Sequence, residues 1–158
     1  MNDLVWQFSR FDDLAIRDWY AVSATRIDVF VIEQNCPFQD SDGADIHSWH
    51  LLGWHGAGDK REIAAYCRIV DAGVKYSEPS IGRVVTQRAF RSLGYGKTLM
   101  AEALRRHDAL TPAAPNRIGA QQRLEGFYNC FGFTTASAMY IEDGIAHVEM
   151  LRVASVPA

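Results

Sequence analysis

Residues 81–98 read IGRVVTQRAFRSLGYGKT, and this stretch decides the fold. A β-branched run at 81–86 meets a turn that carries Arg91, Gly94 and Gly96. A helical apolar pattern follows at once: Leu99, Met100, Ala103, Leu104. A strand, a glycine loop and a helix in that order leave bare backbone N–H groups at the helix N-terminus. Such an end attracts anions, because its first N–H groups lack partners and the helix dipole is positive there. Glycines at that point let a phosphate come close to the backbone.

The glycine pattern separates phosphate-binding classes. Gly96-Lys97-Thr98 looks like the end of a nucleotide-binding P-loop, but the first glycine of that motif falls at Arg91. The dinucleotide fingerprint also fails, since Leu99 stands three residues after Gly96. A nucleotide-triphosphatase reading would further need an acidic residue ending an apolar strand. The nearest downstream strand, 117–120, has none. What remains is R-x-x-G-x-G, from Arg91 to Gly96.

Outward from this unit, strands are expected at 6–8, 50–54 and 63–70, the last two joined by the polar stretch 56–62. A broken helical pattern runs from Asp12 to about Glu33, followed by a long loop at 35–49. The helix after Gly96 should run to about His107, with Arg105, Arg106 and His107 suiting its negative end. Residues 117–120 form a short strand. Leu124, Phe127, Tyr128 and Phe131 fall at i, i+3, i+4 and i+7 and share one helical face. Gly132 is placed to end that helix in the left-handed conformation. Residues 134–140 and 145–153 read as a hairpin around Glu142-Asp143-Gly144. The fold class is α/β: a mixed, mostly antiparallel sheet flanked by helices, with a C-terminal β-hairpin, in one domain over 1–158.

Two segments now carry a resemblance. The R-x-x-G-x-G loop and GAQQRLEGFYNCFGF at 119–133 resemble the Gcn5-related N-acetyltransferase (GNAT) superfamily. VFVIEQNCPFQDSDGAD (29–45), HLLGW (50–54), IGRVV (81–85) and YIEDGIAHVEM (140–150) look like its ElaA-like branch, and together they span nearly the whole chain. The resemblance implies the GNAT fold and an acetyl-CoA-dependent N-acetyltransferase that uses no metal. It implies direct attack of a primary amine, on a small molecule or a peptide, on the thioester in a ternary complex. A non-catalytic acyl-CoA-binding or sensing module is the alternative. Members of the family often dimerise, frequently through their C-terminal strands.

The resemblance also implies site residues. Val84, Val85 and Thr86 would run beside the pantetheine arm, with a backbone N–H polarising the thioester carbonyl. Arg91, Ser92, Leu93, Gly94, Tyr95, Gly96 and Lys97 would cradle the pyrophosphate. Ser92 stands where many relatives have Gly, and Lys97 equally suits a solvated helix position. Gln121 stands where many relatives have an Asn that contacts pantetheine; it also suits a helix start. Tyr128 would protonate the departing thiolate; by periodicity alone it is a core aromatic. For the base that takes the amine proton, Glu33, His50, His147 and Glu149 are candidates. Glu33 and His50, in family-like strings, are the two carried forward, although Glu33 also suits a paired carboxylate and His50 a strand-start hydrogen-bonder.

Composition bounds the rest. A chain of 158 residues can bury roughly 70% of its unfolded surface. A net charge of −3 argues against a nucleic-acid partner held through phosphates. Cys36, Cys67 and Cys130 lack the spacing of a disulfide framework or zinc site, so free thiols in the cytoplasm are expected. Cys36 lies in a family-like string and is a candidate nucleophile, but the family chemistry needs no thiol. No apolar run is long enough to span a membrane. No signal peptide is expected, since Asp3 stands where a basic segment would be. Asp40, Asp42 and Asp45 fail calcium-loop spacing; they are turn-formers in a solvated loop or an acidic lip for a cationic amine.

Overall fold

A computed structural model describes residues 4–154; Asp3, on which the leader expectation rests, lies outside them. The first sheet is antiparallel, in the order β1 (Leu4–Arg10), β2 (Ser48–His55), β3 (Glu62–Val70) and β4 (Ser80–Thr86). Strand alternation sends side chains to two faces. Leu51, Cys67, Ile69 and Ile81 pack against Leu99, Met100 and Ala103 of α2 (Tyr95–Leu110). Leu52, Tyr66 and Val85 pack in a separate cluster with Val22 of α1 (Ile16–Arg26) and with Val29. With both faces covered, β3 is buried along nearly its whole length. Among the described residues no helix is long and apolar enough to cross a membrane.

The broken helical pattern of 12–33 resolves into a 3-10 turn (Phe11–Asp13), α1, and a π-helix at Ile27–Glu33. The wider π turn re-aims the side chains that follow α1, a device common at functional sites. The next helix, α3 (Glu125–Asn129), is shorter than the apolar face suggests; Leu124 and Phe131 lie beyond its ends and still pack on the core. Gly132 has φ +85°, the left-handed conformation its position requires.

The second sheet is β5 (Asn116–Gln121), β8 (Ile145–Arg152) and β6 (Thr134–Thr135), with β7 (Tyr140–Glu142) also on β8. Asp143 and Gly144 both have positive φ, as a two-residue turn matching strand twist requires. The strand expected over 134–140 is split. The Ser137 hydroxyl accepts the Glu149 N–H at 2.8 Å, replacing a ladder bond and bending the chain away between β6 and β7.

The sheets meet at β4 and β5. Their starts are stitched together: the Arg117 N–H donates to the Pro79 carbonyl at 3.1 Å, and the Ile81 N–H to Asn116 Oδ1 at 3.2 Å. Beyond that point the two strands are not paired in one ladder. A bulge in β4 drives them apart. Tyr66 pairs with Val85 and Arg68 with Gly82, so Cys67 faces both Arg83 and Val84. Arg83 takes the strained side of this bulge, at φ +50°. A non-glycine residue held there costs about 1–3 kcal/mol and persists where surrounding contacts over-determine it.

Candidate active site

The divergence of β4 and β5 opens a cleft of about 700 Å³. Its walls come from β4, β5, α3, the π-helix and the β7–β8 turn. At one end stands the α2 N-terminus. Gly94 is left-handed, at φ +76°, and no side chain caps the helix. The Gly94 carbonyl accepts from the Thr98 N–H, while the first N–H groups of α2 precede any intrahelical partner. Gly96 faces the cleft; a Cβ there would stand 3.6 Å from Thr86 Oγ1 and 3.9 Å from Phe127. The uncapped N-terminus of a sixteen-residue helix thus opens on the cleft, and its partnerless N–H groups can attract an anion.

The implied pyrophosphate loop divides on inspection. Gly96 and Arg91 line the cleft. Ser92 and Leu93 belong to an exposed 3-10 turn, Arg88–Leu93, that leads to Gly94. The Tyr95 side chain is buried in the core and does not line the cleft. Lys97 is exposed and makes no ion pair among the described residues. Arg91 is engaged more than expected: its Nε donates to the Thr86 carbonyl at 3.1 Å, and its two terminal nitrogens bond both Glu33 oxygens, Nη2 to Oε2 at 2.9 Å.

That pairing changes the reading of Glu33. It lines the cleft, but the Arg91 hydrogen bonds and charge hold its carboxyl below the usual carboxylate range. A carboxylate so stabilised is a weaker base. His50 does not line the cleft at all. It is fully buried, with Nε2 donating to the Asp45 carbonyl at 2.9 Å and Nδ1 accepting from the Tyr66 hydroxyl at 2.8 Å. Desolvation lowers its pKa, so it sits neutral with both nitrogens committed. Glu149 is bound to Arg117 at 3.1 Å.

His147 is differently placed. It lines the cleft from β8. Its Nδ1 lies 2.8 Å from the Ile145 carbonyl; a carbonyl only accepts, so Nδ1 carries the proton and Nε2 presents a lone pair when the ring is neutral. Glu142 Oε2 stands 3.7 Å from Nε2, and the Tyr140 ring stacks on the imidazole at 5.8 Å. The sequence offered His147 as one of four bases; it lines the cleft, as His50 and Glu149 do not, and it carries no bidentate arginine partner as Glu33 does.

Tyr128 also lines the cleft, at 8% exposure, between the rings of Phe127 and Phe133. Its hydroxyl makes no hydrogen bond to protein among the described residues, and burial pushes its pKa up. Val84, Val85 and Thr86 line the same cleft along the bulged strand. Gln121 crosses it: its Nε2 donates to Gln34 Oε1 at 3.3 Å, and its Oε1 accepts from Arg123. The Cys36 thiol faces the cleft and donates to the Asp143 carbonyl at 3.3 Å.

The acidic loop is not a free lip. Asp45 accepts from Arg26 at 2.6 Å and Arg68 at 2.8 Å; Asp42 from Arg68 at 2.6 Å and Lys75 at 2.8 Å; Asp40 from Arg83 at 3.0 Å. These carboxylates neutralise buried guanidiniums and anchor the loop. The arginines arrive from α1, β3 and β4, too far along the chain for any local pattern to announce them.

Comparison with known proteins identifies the family. A family model described as an acetyltransferase (GNAT) domain matches residues 54–153. Protein ElaA of Escherichia coli is 38% identical over 149 residues, 93% of this chain and 95% of that protein. A UPF0039 protein of Synechocystis is 36% identical over 94% of this chain and 95% of its own length. Among solved structures, an acyl-CoA N-acyltransferase from Pseudomonas aeruginosa superposes with a TM-score of 0.88 at 36% identity, covering 95% of this chain and 99% of that one. The crystal structure of E. coli ElaA gives 0.85 at 38% identity, covering 94% and 99%. The strands, the cleft between them and the relatives lead to one family: this chain belongs to the ElaA-like branch of the GNAT family, whose general chemistry is acyl-CoA-dependent acyl transfer.

Proposed function

We propose that the protein transfers an acetyl group from acetyl-CoA to a primary amine, by direct attack within a ternary complex. One observation carries the reading: a single cleft is walled at once by Gly96 at the α2 N-terminus, by Tyr128 and by His147. Anion binding, an acid and a base thus share one cavity.

The residues fit the co-substrate. The α2 N-terminus, with no Cβ at Gly94 or Gly96, would hold the pyrophosphate. Acetyl-CoA supplies the activated thioester. The chain supplies the rest. His147 Nε2 takes a proton from the ammonium, with Glu142 near enough to stabilise the resulting imidazolium. The amine nitrogen bonds to the thioester carbon, and a backbone N–H at the β4 bulge stabilises the oxyanion. As the C–S bond breaks, the Tyr128 hydroxyl gives its proton to the leaving sulfur; the new amide nitrogen sheds its extra proton to solvent, from which Tyr128 is reprotonated. A cytoplasmic setting belongs to the same reading.

Two measurements test it. Acetyl-CoA at 100 times its dissociation constant should add about 2.7 kcal/mol of stability, whereas Mg-ATP should add none. Thiol release from acetyl-CoA should then depend on added amine, and His147→Gln should lower kcat by about 100-fold or more. No shift in melting with millimolar acetyl-CoA overturns the cofactor; unchanged turnover in His147→Gln overturns the base.

A further inference from the structure

Resting on that reading, we infer that the acceptor amine carries its own carboxylate, which docks at Gly82 between Arg68 and Arg83. The acceptor class is thus a zwitterionic amino acid with an apolar side chain.

Three observations converge on this place. Arg68 is 2% exposed and its two terminal nitrogens are bound by Asp42 and Asp45, yet its buried Nε–H has no partner among the described residues. Gly82 lines the cleft, and a Cβ built on it would stand 4.0 Å from that same Nε. The missing side chain therefore leaves a notch over an unanswered donor. A buried N–H without an acceptor is unfavourable, and a ligand oxygen seated in the notch would relieve it.

Arg83 supplies the second donor. Its Nε and Nη2 bond Asp40, whereas Nη1 makes no hydrogen bond among the described residues, and its guanidinium lies over Phe38 at 5.4 Å. It lines the cleft from the bulge. The network also carries an imbalance: Arg26, Arg68, Arg83 and Lys75 face only Asp40, Asp42 and Asp45. Burial, and after it the proximity of Arg68 and Arg26, weakens the hold of Arg83 on its proton. An incoming carboxylate supplies the missing negative charge and accepts charge-assisted bonds.

The same cleft also carries the complementary sign. Glu142 stands beside His147, where an ammonium would sit before losing its proton. Phe30, Phe38 and Ile145 line the cleft as well and offer an apolar surface to a side chain. With a cation at Arg83, an acid at Glu142 and apolar side chains in the same lining, the cleft matches a zwitterion better than a simple alkylamine.

The test compares leucine, leucinamide and isoamylamine as acceptors in the thiol-release assay. We expect kcat/KM for leucine to exceed that for either uncharged-tail amine by about tenfold or more. The amide has the less basic amine, so more of it is unprotonated near neutral pH, which biases the comparison against the inference. Gly82→Ala fills the notch at an ordinary contact distance and should collapse the leucine-to-leucinamide ratio towards one; Arg83→Gln should lower it as well. Binding is read independently by melting of the CoA-saturated protein with N-acetyl-leucine and N-acetyl-leucinamide, where only the acid should raise the transition. Equal or better use of the uncharged-tail amines overturns the inference, as does an equal or absent shift with both products. If acetyl-CoA itself fails to shift melting, the acyltransferase reading falls; if acetyl-CoA binds and the acid shows no advantage, only the carboxylate site falls.

Discussion

Replacing Tyr128 with Phe separates its two roles. The ring packs between Phe127 at 5.1 Å and Phe133 at 6.1 Å, and Phe keeps that packing. The hydroxyl bonds no protein group among the described residues, so its removal strands no partner. Stability should change by less than about 0.5 kcal/mol, a shift of under about 2 °C in a chain of this size. The acid role predicts a different scale. General acid catalysis contributes about 10²–10⁴-fold, or roughly 2.7–5.4 kcal/mol of barrier at 1.36 kcal/mol per tenfold. Steady-state thiol release should show kcat lowered by at least about 100-fold, while acetyl-CoA affinity by calorimetric titration moves less than about twofold. Burial raises the Tyr128 pKa, so the wild-type kcat profile should show no alkaline fall from its ionisation below about pH 10. A kcat loss under about fivefold would refute the acid assignment. A drop in melting beyond about 5 °C would instead mean that the hydroxyl has a structural partner.

Three further outcomes are expected. Glu33→Gln should keep kcat within about threefold, because the carboxylate serves Arg91 and not the amine; a loss near 100-fold with normal acetyl-CoA binding would restore it as the base. Asp45→Asn leaves Arg26 and Arg68 buried without their shared carboxylate and should cost about 3–5 kcal/mol in urea unfolding; a cost under about 1 kcal/mol would show that the network is not structural. His50 has a pKa lowered by burial, so the unfolded chain takes up its proton first as pH falls. Its contribution to stability is complete above about pH 6.5 and is lost progressively below that. Melting between pH 5 and 6.5 should therefore fall more steeply in wild type than in His50→Gln, and parallel slopes would contradict this.

Much of the site was legible because it is local. The turn before α2 needs a residue free to adopt positive φ, and Gly94 has it. Asp143-Gly144 declares a two-residue hairpin turn by the same logic. Tyr128 follows from helical spacing combined with a family-like string. Where a distant backbone group intervenes, the local pattern misleads: Ser137 breaks the expected strand by accepting the Glu149 N–H, twelve residues on.

The sequence by itself determined the order of elements, the glycine loop at the head of α2 and the family, since each rests on neighbouring residues and on periodicity. Only tertiary structure decided what the charges do. Glu33 and Arg91 are 58 positions apart, and His50 and His147 look alike as letters in their strings. Folding pairs Glu33 with Arg91, buries His50 between Tyr66 and Asp45, and leaves the His147 Nε2 facing a cleft. The bulge that aims Arg83 depends on the register between β3 and β4. A side chain's protonation and reach are set by what surrounds it in space, and that surrounding is assembled from distant parts of the chain.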